Sequence, residues 1–197
     1  MLSIEEGTAL VRIARRSIEA HLSNEVYTPE SYPDSFKERS GIFVTLSTYP
    51  DHCLRGCIGF PEPSHRLIDA ATEAAIIAAT RDPRFASVTI DEMDSITVEV
   101  TVLTPPVLVD RRGRDYLEEF EVGTHGLIVE KGFYKGLLLP QVPVEWGWDK
   151  EEFISQTCVK AGLQPDAWLT GDIDLYTFKG QVFAEKEPRG KVVFKEK

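Results

Sequence analysis

The sequence predicts an α+β protein with a mainly antiparallel sheet flanked by helices and with two subdomains. Pairs of β-branched or apolar runs are joined by short turns, which is the pattern of β-hairpins and of antiparallel pairing. Segments with helical periodicity lie between groups of strands, and this favours α+β over a parallel βαβ series. The 197 residues are enough for a fold of this kind.

The first predicted element is a helix that begins after Ser3. Ser3 and Glu6 have the spacing of a capping box, in which the two side chains satisfy free amides at the helix start. Apolar residues recur at three- and four-residue steps from Leu10 to Leu22 and form one packing face. The opposite face is predicted to be exposed to solvent, and it carries Arg12, Arg15, Arg16 and Glu19.

A β-hairpin and an alanine-rich helix follow. Residues 41–48 are rich in β-branched and aromatic side chains, residues 49–52 form a turn, and the second strand contains Leu54-Arg55-Gly56-Cys57-Ile58-Gly59. Ser64 is predicted to cap the helix. The helix ends before Asp82-Pro83, because proline lacks an amide hydrogen and restricts the preceding residue.

The second half of the chain starts with a clear strand pattern. Residues 96–102 alternate between apolar and polar side chains with the two-residue period of a sheet. Residues 126–140 predict a second hairpin with its turn near Lys131-Gly132. The charged segment 111–123 is the predicted boundary between the subdomains, and later strands can still return to the first sheet.

A helix and two strands complete the prediction. Residues 149–162 have a capping pattern at their start and a glycine at their end, and Cys158 is predicted to lie on the buried face of this helix. The remaining strand signals are at residues 173–185 and 191–195.

The charge of the chain argues against nucleic acid as a partner. Lys and Arg number 22 against 32 Asp and Glu, which gives a formal net charge of −10 and a pI of about 4.9. Such a field repels a phosphate backbone. A basic cluster at Arg111, Arg112 and Arg114 lies beside acidic residues and is predicted to be a solvated loop.

Composition and cysteine content predict a soluble protein of the cytoplasm. The N-terminus is acidic where a signal peptide is basic, and the apolar runs are shorter than the roughly 20 residues that a membrane span needs. Three cysteines cannot form a complete set of disulfides, so reduced thiols are expected.

Cys57 is the strongest candidate for a reactive group. Small neighbours at Gly56 and Gly59 allow backbone or ligand to approach closely, and Arg55 can stabilise a thiolate or bind an anion. The competing interpretation is structural, because free cysteine is commonly buried and glycines in strands often mark bulges. The residues leave both interpretations open.

A metal site can also be assembled from His52, Cys53, Cys57 and His65. The spacing of these residues is poor. His52 and Cys53 are adjacent and would point to opposite sides of a strand, whereas structural zinc sites use paired ligands at set spacings. No metal is therefore predicted.

Two further segments carry polar groups suited to a site. His125 precedes Gly126 at the start of a strand and can act as a base near neutral pH, although a turn residue would look the same. The loop from Leu139 to Trp148 holds Gln141, Glu145 and two indoles. It fits either a pocket wall or the ordinary burial of tryptophan.

These motifs together resemble the AMMECR domain family over nearly the whole chain. The matching segments are Leu54-Arg55-Gly56-Cys57-Ile58-Gly59, His125-Gly126, Leu139-Pro140-Gln141-Val142, residues 145–148 and residues 158–163. The resemblance implies a stand-alone cytosolic domain of two subdomains, and the family has no assigned reaction. In prokaryotes the family is also called protein A of the AmmeMemoRadiSam system, which implies a Memo-like protein and a radical-SAM protein as partners.

Two functional hypotheses follow. In the first, the protein is an enzyme that uses a cysteine-containing pocket on a small molecule or a modified protein. Its catalytic residues are then Cys57, His125 and Glu145, and its ligand-binding residues are Arg55, Gln141 and Trp148. In the second, the same motif shapes a groove in a non-catalytic binding or scaffold module.

Overall fold

The chain folds into two units, each built on its own sheet, in a computed structural model that describes residues 1–195. Among the described residues, the first unit contains residues 1–103 and 181–195, and the second contains residues 104–180. The predicted α+β class with two subdomains is confirmed. Residues 111–123 lie inside the second unit, and the last two strands return to the first sheet, as expected.

Helices and strands alternate irregularly along the chain. The α-helices are α1 (Ile4–Leu22), α2 (Leu67–Thr80), α3 (Gln141–Trp146) and α4 (Lys150–Lys160). The strands are β1 (Ile42–Thr48), β2 (Leu54–Phe60), β3 (Ile96–Leu103), β4 (Val107–Leu108), β5 (Gly126–Lys131), β6 (Tyr134–Leu138), β7 (Asp174–Phe178), β8 (Gly180–Glu185) and β9 (Val192–Lys195). None of the helices in residues 1–195 combines the length and the apolar composition that crossing a membrane requires.

The first sheet has the strand order β2-β1-β3-β8-β9. β1 pairs antiparallel with both β2 and β3, which confirms the first predicted hairpin. Alternate residues such as Val44 and Val98 are buried under α1 and α2, as the two-residue period predicts. The opposite face, which carries Thr45, Cys57 and Glu99, is called the far face below.

The start of α1 agrees with the prediction, but the burial of one of its side chains does not. Ser3 and Glu6 form the capping box. The prediction that Arg15 is exposed to solvent is wrong. Its side chain is only 5% exposed and binds the carboxylate of Glu185 at 2.6 Å. Arg15 also donates to the carbonyls of Met93 and Ile96 and to the carboxylate of Glu19 at 3.3 Å. The shorter of its two ion pairs is with Glu185, 170 positions away, and no local pattern in the sequence indicates this contact.

The predicted start of α2 is also wrong. The helix begins at Leu67 with Arg66 as its N-cap residue, so Ser64 is not the cap. The reason is a long-range contact, since Arg66 forms a β-bridge with Arg39 and the Leu67 amide donates to the Glu38 carbonyl. These bonds keep the chain extended up to Arg66.

The second sheet has the order β4-β7-β5-β6, and α4 packs on one of its faces. β5 and β6 form the predicted hairpin, whose tight turn places Gly132 at φ +59°. α4 starts with Asp149 as its cap, and Cys158 is fully buried, as predicted.

Two expectations for this part of the chain are corrected. Residues 139–148 are not simply a loop, because they contain α3, which ends at Gly147 with φ +67°. Residues 173–185 are not one strand. They divide into β7 in the second sheet and β8 in the first, which shows that one apolar run can serve two cores.

Candidate functional site

Cys57 lies on β2, the edge strand of the first sheet, and its side chain is half-buried on the far face. It stands opposite Thr45 of β1, whose hydroxyl donates a hydrogen bond to the Cys57 sulfur at 3.2 Å. A donor aimed at sulfur stabilises the thiolate more than the thiol. The thiol is therefore accessible in part and has one favourable hydrogen bond.

The glycines of the motif are required by packing. A Cβ atom added at Gly56 would overlap with the carbonyl oxygen of Ala78 on α2, and one added at Gly59 would overlap with the carbonyl oxygen of Ile42. Glycine therefore lets β2 lie directly against the helix and against β1. This accounts for the two glycines and leaves the role of the thiol open.

A carboxylate and a guanidinium hold the backbone of Cys57. The Cys57 amide donates to Oδ2 of Asp82 at 2.8 Å, and the Cys57 carbonyl accepts from Nη2 of Arg84 at 3.2 Å. Asp82 and Arg84 also bind each other through two side-chain hydrogen bonds of 2.7 and 3.0 Å. We refer to these two residues as the edge clamp.

The edge clamp is a pair of strongly coupled charges. The hydrogen bond from Arg84 holds the pKa of Asp82 well below its usual range, and burial opposes this effect. The same bond raises the pKa of Arg84. A permanent cation therefore lies at the backbone carbonyl of Cys57, 3.2 Å away. Sequence reasoning missed both residues because it interpreted Asp82-Pro83 only as the end of a helix.

Arg55, proposed from the sequence to bind an anion, is already engaged. Its Nε and Nη2 atoms donate to the Glu92 carboxylate at 3.1 and 3.3 Å, and Nη1 donates to the Ala86 carbonyl at 2.8 Å. In this arrangement Arg55 ties the segment after α2 to β2.

His125 belongs to the second unit and lies in the turn before β5. Its Nδ1 atom accepts a hydrogen bond from the Glu121 amide at 3.0 Å, so the neutral ring carries its proton on Nε2. Burial lowers the pKa of His125, and the nearby charge of Lys179 lowers it further. The ring is therefore neutral at pH 7, as a general base should be.

Gln141, Glu145 and Trp148 also belong to the second unit, on α3 and just after it. Gln141 is half-buried, Glu145 is exposed, and the Trp148 ring stacks on Trp146 with 6.0 Å between ring centroids. A Cβ atom added at Gly123 would lie 3.1 Å from Val144, so α3 lies beside the turn that leads to His125. The structure thus groups these residues within one unit, and Arg55 and Cys57 within the other.

The residues of the alternative metal site have other surroundings. Cys53 is exposed, His52 adopts φ +53° in the turn after β1, and His65 Nδ1 is 2.9 Å from the Ser64 hydroxyl. Within residues 1–195 no three His, Cys, Asp or Glu side chains are grouped so as to share a metal ion.

The fold and the motif define a class: a two-unit α+β protein with an arginine–cysteine sequence on an edge strand. The chain belongs to the AMMECR1 family, whose model matches residues 11–183. This range includes all six residues proposed from the sequence.

Relatives and a solved structure agree with this assignment. Protein MJ0810 of Methanocaldococcus jannaschii is 56% identical over 196 residues, which is 99% of this chain and 98% of the relative. Protein PH0010 of Pyrococcus horikoshii is 51% identical over 193 residues, covering 95% and 94% of the two chains. The crystal structure of uncharacterized protein PH0010 matches with a TM-score of 0.82 at 50% identity over 98% of both chains.

Proposed function

We propose that this AMMECR1-family protein is an enzyme that acts through a cysteine-containing pocket on a small molecule or a modified protein, with Cys57 as its reactive thiol. The observation that carries the proposal is the hydrogen bond from the Thr45 hydroxyl to the Cys57 sulfur, 3.2 Å long. The Arg84 guanidinium of the edge clamp, bound to the Cys57 carbonyl, adds a positive charge beside this residue. The clamp also prevents the backbone from shifting when the sulfur reacts.

The other residues have proposed roles of their own. Within the second unit, His125 and Glu145 are proposed to transfer protons, and Gln141 and Trp148 to contact a ligand. Arg55 binds an anionic group of the substrate after exchanging its present partner, Glu92.

The expected result of alkylation with iodoacetamide is that Cys57 reacts first. At pH 7 we expect its rate to exceed that of Cys53 by about tenfold, although Cys53 is the more exposed thiol. Burial raises the pKa of Cys158 to about 11, so this residue should stay unmodified in the folded protein. Rates over a pH series, measured by peptide mass spectrometry, check all three cysteines in one sample.

The matched control for this experiment is Thr45→Val, which removes the donor and keeps the shape of the side chain. It should slow Cys57 and leave Cys53 unchanged. A native Cys57 that reacts no faster than the same thiol in denatured protein would show that the proposal is wrong.

A second candidate function is partner binding, and one observation favours it. On α3 the residues Val144 and Trp146 are 60% and 70% exposed, which is unusual for large apolar residues. As a binding module, the protein would present one or both of these side chains to a Memo-like or a radical-SAM protein.

Trp146→Ser is expected to weaken such binding at least tenfold, because exposed tryptophans at interfaces are frequent binding hot spots. Calorimetry with a purified Memo-like protein and then with a radical-SAM protein checks this. Val159→Ser on α4, also an exposed apolar residue, is the control. Equal affinity of both variants, or no binding by the wild type, would contradict the second candidate.

We also propose the cytoplasm as the location of this protein. All three cysteines are free, and reducing conditions keep such thiols available. A tagged chain recovered with the cytosolic fraction is the expected outcome.

A further inference from the structure

A pocket of about 430 Å³ lies on the far face of the first sheet. Ala184 of β8 and Val193 of β9 supply apolar parts of its lining. Its polar lining consists of Ser47, His52, Thr97, Glu99, Glu185, Lys186 and Lys195. The volume and the mixture of apolar floor and polar groups fit a small-molecule site.

The strand register connects this pocket to Cys57. Thr45 of β1 stands opposite Cys57 on one side and opposite Glu99 on the other. Paired residues point to the same face of a sheet, so the three side chains form one row. Two strand spacings separate Cys57 from Glu99, which is roughly 10 Å. A molecule that fills the pocket and extends along this row would come close to the thiol.

The charges in the pocket favour an anion. The Glu99 carboxylate is bound by the Lys195 ammonium at 2.7 Å, and Glu185 points to the helices, where it binds Arg15. The side chain of Lys186 has neither a hydrogen-bond nor an ion-pair partner within residues 1–195. Because Arg15 neutralises Glu185, the two lysines outweigh the remaining lining carboxylate, Glu99, in a chain whose net charge is −10. A locally positive pocket on such a chain attracts anionic ligands selectively.

We propose that this pocket binds a small molecule through a phosphate or carboxylate group. The ammonium groups of Lys186 and Lys195 bind the oxyanion, and the Ser47 hydroxyl donates a further hydrogen bond. The proposal that the pocket binds an anion depends only on the residues that line it. The additional inference that this ligand is the substrate depends on the proposed function of Cys57.

Titration of the 15N-labelled protein with inorganic phosphate, and separately with acetate, tests the proposal by NMR. Saturable shifts are expected at the amides of residues that line the pocket. Lys195→Gln should weaken binding about tenfold, because one charge-assisted hydrogen bond is lost. Glu99→Gln should tighten it several-fold, because Lys195 is released from its ion pair. The stronger of the two anions identifies the ligand group.

The control pair is Asp34 and Lys37, which form an exposed ion pair in the same unit, 2.6 Å apart. Lys37→Gln and Asp34→Asn should leave the affinity for phosphate unchanged, which separates a local site from a general charge effect. Absence of saturation up to about 50 mM of either anion, or equal affinity of Lys195→Gln and the wild type, would overturn the proposal. The alkylation rates of Cys57 are measured without phosphate. A Cys57 that reacts no faster than in the denatured protein would therefore contradict the proposed thiol chemistry and would not affect the proposal that the pocket binds an anion.

Discussion

Replacing Glu185 with glutamine is expected to lower the free energy of unfolding by about 3–5 kcal/mol, the usual cost of breaking a buried ion pair. The carboxylate side chain is only 2% exposed and accepts from Nε and Nη2 of Arg15 and from the Val98 amide. Glutamine keeps the shape but leaves the buried guanidinium with only the more distant carboxylate of Glu19, 3.3 Å away and 25% exposed, as its counter-charge. Urea unfolding followed by circular dichroism measures the loss.

Two variants make this prediction specific. The double variant Arg15→Met with Glu185→Leu should recover much of the lost stability, because it removes both charges from the core. Asp34→Asn, which breaks the exposed ion pair with Lys37, should leave the free energy of unfolding nearly unchanged. A Glu185→Gln protein within 1 kcal/mol of the wild type would mean that water or another group solvates Arg15.

Asp82→Asn is expected to cost about 2–3 kcal/mol at pH 7, because it weakens several hydrogen bonds of a carboxylate that is 3% exposed. The effect should depend on pH in a defined direction. The pKa of Asp82 is depressed in the folded state, so its contribution is complete above the unfolded value of about 3.9. It is lost as the pH falls from that value towards the lower folded one.

Unfolding curves at a series of pH values check this prediction. The difference in stability between wild type and Asp82→Asn should shrink as the pH falls below about 4. Asp69→Asn is the matched control, since Asp69 also pairs with an arginine, Arg66, but at the surface. A difference that stays constant down to pH 2 would contradict the assignment of the charged form to the edge clamp.

The edge clamp explains how the outer side of β2 is occupied at Cys57. β2 has no strand on its outer side, so its backbone groups there would be free to pair with another chain. At Cys57 these groups are bound by Asp82 and Arg84 instead. The clamp thereby protects the strand edge and keeps the thiol in one position.

The sequence by itself determined the elements whose signals are local. The capping patterns at Ser3 and Asp149 mark the starts of α1 and α4, because a cap involves side chains and amides within one turn. Alternation over residues 96–102 predicts β3, and the turn at Gly132 predicts the second hairpin. The six candidate residues were likewise selected from motifs in the sequence.

Only the tertiary structure decided the features that depend on distant partners. Arg15 is buried because Glu185 neutralises it, and Asp82 is more than a helix terminator because Cys57 and Arg84 bind it. The run at residues 173–185 divides between two sheets because β7 lies between β4 and β5 in one sheet and β8 lies between β3 and β9 in the other. Periodicity reports which face of an element is apolar, whereas the energy of a buried charge depends on which group folding places beside it.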